Sequence, residues 1–227
     1  MAVLSHLALS FSTHPENLAT EALAYILGRS ASARRGVIRL VESLSGRKLD
    51  LERFETQASN EDQSRPDLCG FDKDGARPLL VEVKFWAGLT DAQPNGYLAS
   101  MSTPGVLLFV APDARLQSLW DELRRRVADN NTPMMPLAIG GSAVLAAGIS
   151  HHALAATSWR TLLDFLEQET IAASESDTTA DIRQLQALCE QMDTEAFLPL
   201  ASEELTSTLG RRVIQFETLA NDLTDQL

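Results

Sequence analysis

The chain lacks most of the features that assign a protein at a glance. Two cysteines, Cys69 and Cys189, stand 120 residues apart in a chain of 227. That is too few and too far apart for a disulfide scaffold or a cysteine-based zinc centre. No run approaches the ~18 apolar residues that a membrane-spanning helix requires, so no membrane role is expected. The first six residues, Met1–His6, carry neither a basic leader nor a small-residue cleavage site. The reading is therefore a cytoplasmic protein. G-x-S-x-G, P-loop and G-x-G-x-x-G patterns are all missing, which removes the commonest hydrolase and nucleotide-cradling classes. His151 and His152 are adjacent, and on a strand they would point to opposite faces, unable to share an ion.

Basic residues are also scarce, 19 against 31 acidic, for a net charge of −12. Polyanion binding rests on Lys and Arg neutralising phosphates, so the total argues against a nucleic-acid partner. The distribution changes that. Residues 1–172 hold 16 basic and 20 acidic side chains, whereas residues 173–227 hold 3 and 11. The excess acid belongs mostly to the last quarter of the chain. With 44% apolar and 22% charged residues the composition is that of a globular domain, with or without an appendage.

Periodicity and punctuation outline the elements. Thr13-His14-Pro15-Glu16 reads as a capping box opening a helix that runs to Gly28. A second helix is expected over 33–44, with Gly46 beyond its end. Short strands are expected at 53–58 and 67–72, then 77–85 after an Asp74-Gly75 turn. Thr90 and Gln93 open a helix to about Met101, and 105–110 is a buried strand by its unbroken apolar run. A helix over 116–127, a strand over 134–139 and a helix over 158–167 follow. The order is that of a mixed α/β domain. Residues 170–180 read as a small, polar linker. It divides a body, 1–172, from an acidic helical extension, 173–227. In that extension Ile182, Leu185, Cys189 and Met192 form one apolar stripe, and Leu209, Val213, Phe216, Ala220, Leu223 and Leu227 form another. These stripes fold back on the body, or they bind a protein partner or a second copy through 181–227.

The hairpin carries the chemistry. A two-residue Asp74-Gly75 turn would set Asp67 opposite Glu82. Alternation then puts Glu82 and Lys84 on one face, with Val81, Val83 and Phe85 on the other. Facing carboxylates are destabilising unless compensated, and a hard divalent cation is one compensation. An ordinary charged surface hairpin is the competing reading. Cys69 would share the Asp67 face as a small buried thiol.

Pro66-Asp67, a gap, then Glu82-Val83-Lys84 resembles the signature of the PD-(D/E)XK nuclease superfamily. The expected order of helix, three strands, helix and strand also resembles that restriction-endonuclease-like core, over residues 13–112. Gln93 and Tyr97 resemble the Q-x3-Y element of its exonuclease-like branches. The resemblance implies that Asp67, Glu82 and the Val83 carbonyl ligate Mg²⁺ or Mn²⁺, with Lys84 acting on the attacking water and the phosphate. It also implies a metal-binding Glu on the first helix. Glu16 is explained as a capping residue, so Glu21, beside the apolar stripe of Leu18 and Tyr25, is chosen. Gln93 and Tyr97 would contact substrate or hold the site in place; a capping Gln with a half-buried Tyr is the plainer account.

Arg29, Arg34, Arg35, Arg39, Arg47 and Lys48 surround a single acid, Glu42. Arg34, Arg35 and Arg39 are taken as phosphate-binding, a solvated helix face being the alternative. Arg124-Arg125-Arg126 is a weaker patch, offset by neighbouring acids. The resulting expectation is a magnesium-dependent hydrolase of nucleic-acid phosphodiesters, DNA ahead of RNA. The alternative is a catalytically silent nuclease-like subunit that docks a partner through its C-terminal helices.

Overall fold

Two consecutive helices, α1 over Pro15–Arg29 and α2 over Ala31–Ser45, open the computed structural model, which describes residues 15–56, 65–85, 87–101, 104–137, 145–194 and 215. Ser30 separates them and caps α2, its hydroxyl accepting from the Ala33 amide at 2.9 Å. Gly46 ends α2 in the left-handed conformation at φ 68°, which glycine adopts without a Cβ penalty. The Thr13 half of the expected capping box, and the side chain of Glu16, lie outside the described residues.

Three antiparallel strands follow: β1 (Arg53–Thr56), β2 (Leu68–Phe71) and β3 (Leu79–Val83). A short helix, α3 (Asn95–Ser100), leads to β4 (Val106–Ala111), which runs parallel to β3. Next come α4 (Asp113–Asp129), β5 (Met134–Pro136), β6 (Leu145–Ile149) and β7 (His152–Ser158). Helices α5 (Trp159–Ala172) and α6 (Ser176–Thr194) complete the described fold. The seven strands form one mixed sheet in the order β1-β2-β3-β4-β7-β6-β5, so the molecule is α/β as expected. Among the described residues no helix is long and apolar enough to cross a membrane.

The sheet is covered on both faces, which is why its central strands are apolar throughout. On one face Val81, Val83 and Phe85 join Val106, Leu108 and Val110 against α1, α2, α5 and α6. On the other face Cys69, Leu80, Leu107 and Phe109 pack on Tyr97 and Leu98 of α3 and on Leu119, Trp120 and Leu123 of α4. β4 enters tightly beside β3, with the Val106 amide donating to Pro78 O at 2.8 Å. A Cβ at Gly105 would lie 2.2 Å from that same carbonyl oxygen, so only glycine fits there.

The hairpin register is the expected one, with Leu68 paired to Val81 and Cys69 to Leu80. Its turn is different. The strands end at Phe71 and Leu79, and a wider loop joins them. Asp72 Oδ1 accepts from the amides of Asp74 (3.0 Å) and Ala76 (2.8 Å), while Gly75 takes φ 80°. The side-chain bonds of Asp72 do the closing that a two-residue turn was expected to do.

Residues 170–180 are not a linker. Helix α5 runs to Ala172 and α6 begins at Ser176, with Ser174 turning the chain at φ 58°. Thr179 donates to Thr170 across the junction at 3.0 Å. The Glu175 carboxylate accepts from the Ser30 and Ser32 hydroxyls, both at 2.6 Å. Ile182, Leu185, Leu188, Cys189 and Met192 are buried in the same cluster as α1 and α5. The boundary expected at residue 172 is therefore misplaced: the chain divides into units at 1–197 and 198–227. The first stripe of the extension is occupied by this core, which removes it as a docking element. The second stripe, Leu209 to Leu227, lies outside the described residues.

Candidate functional site

Alternation along β3 turns Glu82 to the same face as Leu80, towards α3 and α4. There it is 4% exposed, and Lys84 just past the strand is 7% exposed. Lys84 Nζ lies 2.8 Å from Glu82 Oε1. Two buried charges two residues apart on one strand face can meet without any other element, and their attraction offsets part of the desolvation cost. Asp67 sits just before β2. Its Oδ2 accepts from the Val83 amide at 2.7 Å, which brings the carboxylate to the end of β3.

Gln93 supplies the remaining contact with Glu82. Its Nε2 donates to Glu82 Oε1 at 2.6 Å and to Tyr97 Oη at 3.0 Å. Its Oε1 accepts from the Thr90 amide at 3.1 Å. The Thr90 amide can only donate and a carboxylate can only accept, so the amide orientation is fixed from both sides. The expected cap is not formed, because the helix begins at Asn95 after Pro94 with no side-chain cap; Gln93 instead closes the turn before it and reaches Glu82. Tyr97, one helical turn on, donates its hydroxyl to Arg65 O at 2.8 Å. Burial pushes the Tyr97 phenol well above its ordinary value, and the negative charge of Glu82, then of Asp67, adds to the effect.

One atom of this cluster is left over. Glu82 Oε2 is buried and has no hydrogen-bond partner. Buried carboxylate oxygens are ordinarily satisfied, because an unmet one carries its full desolvation cost. At Oε1 the Lys84 ammonium offsets the Glu82 charge and the Gln93 amide donates a hydrogen bond.

Glu21 does not join the cluster. It is exposed on α1, and α1 packs on the opposite face of the sheet from Glu82. Among the described residues no group of three His, Cys, Asp or Glu side chains converges as a metal centre. Position beside an apolar stripe on a helix cannot tell which sheet face that helix will cover. The arginines of α2 lie on the same side of the sheet as α1 and have protein partners of their own. Arg34 donates to Leu27 O at 2.7 Å, closing the end of α1. Arg35 and Arg39 pair with Glu169 of α5, the former at 3.4 Å. These residues sit on α2, across the sheet from Glu82, and bind helices together. Arg29 stacks over the Tyr25 ring at 5.1 Å.

Two arginines near the site have contacts that the sequence reading did not assign to them. Arg115 is 4% exposed and donates to Phe85 O and Ala87 O at 3.0 and 2.7 Å. Arg126 donates to the carbonyls of Leu89, Thr90 and Gln93. Arg115 had a sequence signal, since it falls in register with Leu119 and Leu123 on the apolar stripe of α4, where a cation is unexpected. Arg126 was concealed in the run Arg124-Arg125-Arg126, whose first two members are exposed.

Compared with family models, curated proteins and solved structures, the chain matches none.

Proposed function

We propose that the chain hydrolyses nucleic-acid phosphodiester bonds, DNA ahead of RNA, with a PD-(D/E)XK type of site that uses Mg²⁺ or Mn²⁺. The observation that carries this reading is the buried, unpartnered Glu82 Oε2, with Lys84 held on the other oxygen of the same carboxylate and Asp67 held on the next residue of the strand, Val83. A buried carboxylate oxygen without a donor, on a strand whose next amide is held by a second carboxylate, fits a hard cation better than it fits a neutral structural role. Support also comes from the order of elements: three antiparallel strands, a helix, then a fourth strand parallel to the third.

In this reading Glu82, Asp67 and the Val83 carbonyl hold the cation, which supplies charge neutralisation at the phosphoryl oxygens. Lys84 stays tethered to Glu82 Oε1 and presents its ammonium to the water or to the developing phosphoryl charge. Gln93 holds Glu82 Oε1 so that Oε2 keeps its direction. Tyr97 remains a neutral hydrogen-bonding group, because its phenol is held far from ionisation at working pH.

The silent-subunit alternative is less well supported. Its docking element was to be the C-terminal helices, and α6 is committed to the core. The deciding experiment is a Mg²⁺- and Mn²⁺-supplemented nuclease assay on single- and double-stranded DNA and on RNA, with Lys84→Ala and Asp67→Ala. Cleavage by the parent chain and its loss in both variants is the expected result. Cleavage that survives both substitutions removes the site assignment, and no cleavage of any substrate returns weight to the interaction role.

A further inference from the structure

The chain between Lys84 and Gln93 has little regular hydrogen bonding of its own. Its described residues form neither strand nor helix before α3 begins at Asn95. Carbonyl groups in such a segment still need donors when they are shielded from water. Two arginines of α4 provide them. Arg115 sends Nη1 to Phe85 O at 3.0 Å and Nη2 to Ala87 O at 2.7 Å. Arg126 sends Nη1 to Thr90 O at 2.5 Å and to Gln93 O at 3.2 Å, and Nη2 to Leu89 O at 3.1 Å.

The arginines are about three helical turns apart, so they project from one side of α4. Arg126 is itself braced, with Nε on Glu122 Oε1 at 3.1 Å. The Arg126 carbonyl accepts from Asn95 Nδ2 at 2.9 Å, which ties the start of α3 to the same helix. Five carbonyls of one short segment thus take donors from two guanidinium groups. A planar guanidinium can serve several carbonyls at fixed angles, which a lysine ammonium cannot reproduce.

The two ends of this segment are the residues that converge on Glu82. Lys84 and Gln93 reach the same oxygen, Glu82 Oε1, at 2.8 and 2.6 Å. They can do so together only if the backbone between them keeps one course. We propose that Arg115 and Arg126 are positioning residues of this site: Arg115 holds the Lys84 end of the segment and Arg126 the Gln93 end. Their catalytic meaning rests on the phosphodiesterase reading, whereas their effect on the Glu82–Gln93 contact does not. Loss of Arg126 leaves the Leu89 and Gln93 carbonyls without this donor and Thr90 O with the Gln93 amide alone, so the Gln93 side chain leaves Glu82 and the carboxylate loses its fixed direction.

The test uses the full chain and the variants Arg126→Gln, Arg126→Lys and Arg115→Lys. Arg183→Gln, an exposed position on α6 across the sheet, controls for loss of one positive charge. Three readings are taken: hydrogen exchange of the Gln93 side-chain amide by NMR, Mn²⁺ binding by calorimetry, and kcat and KM on DNA. Arg126→Gln is expected to expose the Gln93 amide to exchange and to weaken Mn²⁺ binding by about ten- to a hundredfold, the range for groups that orient a metal ligand. It should lower kcat with little change in KM. Arg126→Lys should recover only part of this, Arg115→Lys should weaken Mn²⁺ binding while sparing Gln93 more, and Arg183→Gln should match the parent.

Retention of parental Gln93 protection and Mn²⁺ affinity in both Arg126 variants, with only thermal stability reduced, would overturn the proposal. If Arg126→Gln fails to fold, Arg126→Lys decides by the same measurements. Failure of the phosphodiesterase reading looks different: the parent neither cleaves nucleic acid nor binds Mn²⁺. In that event Gln93 exchange in the Arg126 variants still decides whether the arginines position Glu82.

Discussion

The Val83 amide donates to the Asp67 carboxylate at 2.7 Å, just beyond Leu68–Val81, the last bridge of the β2–β3 ladder. A side chain there takes the place of a main-chain acceptor. Asp67 therefore has a structural role in ending the hairpin and a proposed chemical role at the site, and the two are separable by substitution.

Asp67→Asn keeps an oxygen to accept from Val83 and removes the charge. It should cost under about 1 kcal/mol in denaturant unfolding, while abolishing any cation-dependent cleavage. Asp67→Ala leaves the amide without this acceptor and should cost about 1–3 kcal/mol. Equal stability losses in the two variants would show that the hydrogen bond contributes nothing.

Glu82 and Lys84 form a buried pair at 2.8 Å, with side-chain exposures of 5% and 8%. Removing one partner strands the other charge, so Lys84→Met alone is expected to destabilise by about 3–5 kcal/mol. The double variant Glu82→Gln with Lys84→Met should recover much of that loss. A double-mutant cycle by chemical denaturation reads the coupling, and additive single effects would contradict it.

Tyr97 ties alkaline stability to the site. Its phenol titrates near 10 in the unfolded chain, and burial, followed by the charge of Glu82, raises it in the folded one. The folded state thus keeps the proton more tightly. That contribution is fully present below pH 10 and is lost as pH rises above it. Tyr97→Phe should flatten the alkaline fall in melting temperature. Identical alkaline profiles for parent and Tyr97→Phe would refute this.

Glu175 gives the opposite sign at acid pH. The Ser30 and Ser32 hydroxyls hold its carboxyl below the usual carboxylate value of 4.5. The stability it adds is present above that value and is lost as pH falls through the lowered folded one. Glu175→Gln should cost about 1 kcal/mol at neutral pH, allowing for partial exposure, and should lessen the dependence below pH 4.5. Pulse proteolysis across the acid range measures both.

Several of these features are legible in the order of residues. The period-two pattern of β3 alone puts Glu82 and Lys84 on one face with Val81 and Val83 on the other. The hairpin register follows from the two apolar runs, and it survives a misread turn, because a one-residue slip would bury the wrong face. Gln93 is legible as one of a pair with Tyr97, which its amide contacts at 3.0 Å, whereas the expected cap becomes a turn closed by Gln93 on the Thr90 amide. Glu21, Arg34, Arg35 and Arg39 lie across the sheet from Glu82 for a common reason. Helical spacing shows which side of a helix is apolar, but not which face of the sheet that side will cover.

The extension shows the same division. Small polar residues at 170–180 read as a linker, since Ser and Thr favour loops when considered alone. In the fold those hydroxyls pair with one another across a tight helix junction, and Glu175 finds partners more than a hundred residues away. The α/β class, the strand register and the pairing of Glu82 with Lys84 are written in the chain, because local periodicity and near neighbours govern them. Three other features come from packing: the face that α1 and α2 cover, the bracing of the segment from Lys84 to Gln93 by Arg115 and Arg126, and the unpartnered Glu82 Oε2. Those depend on main-chain carbonyls and helix placement, which no spacing of residue types records.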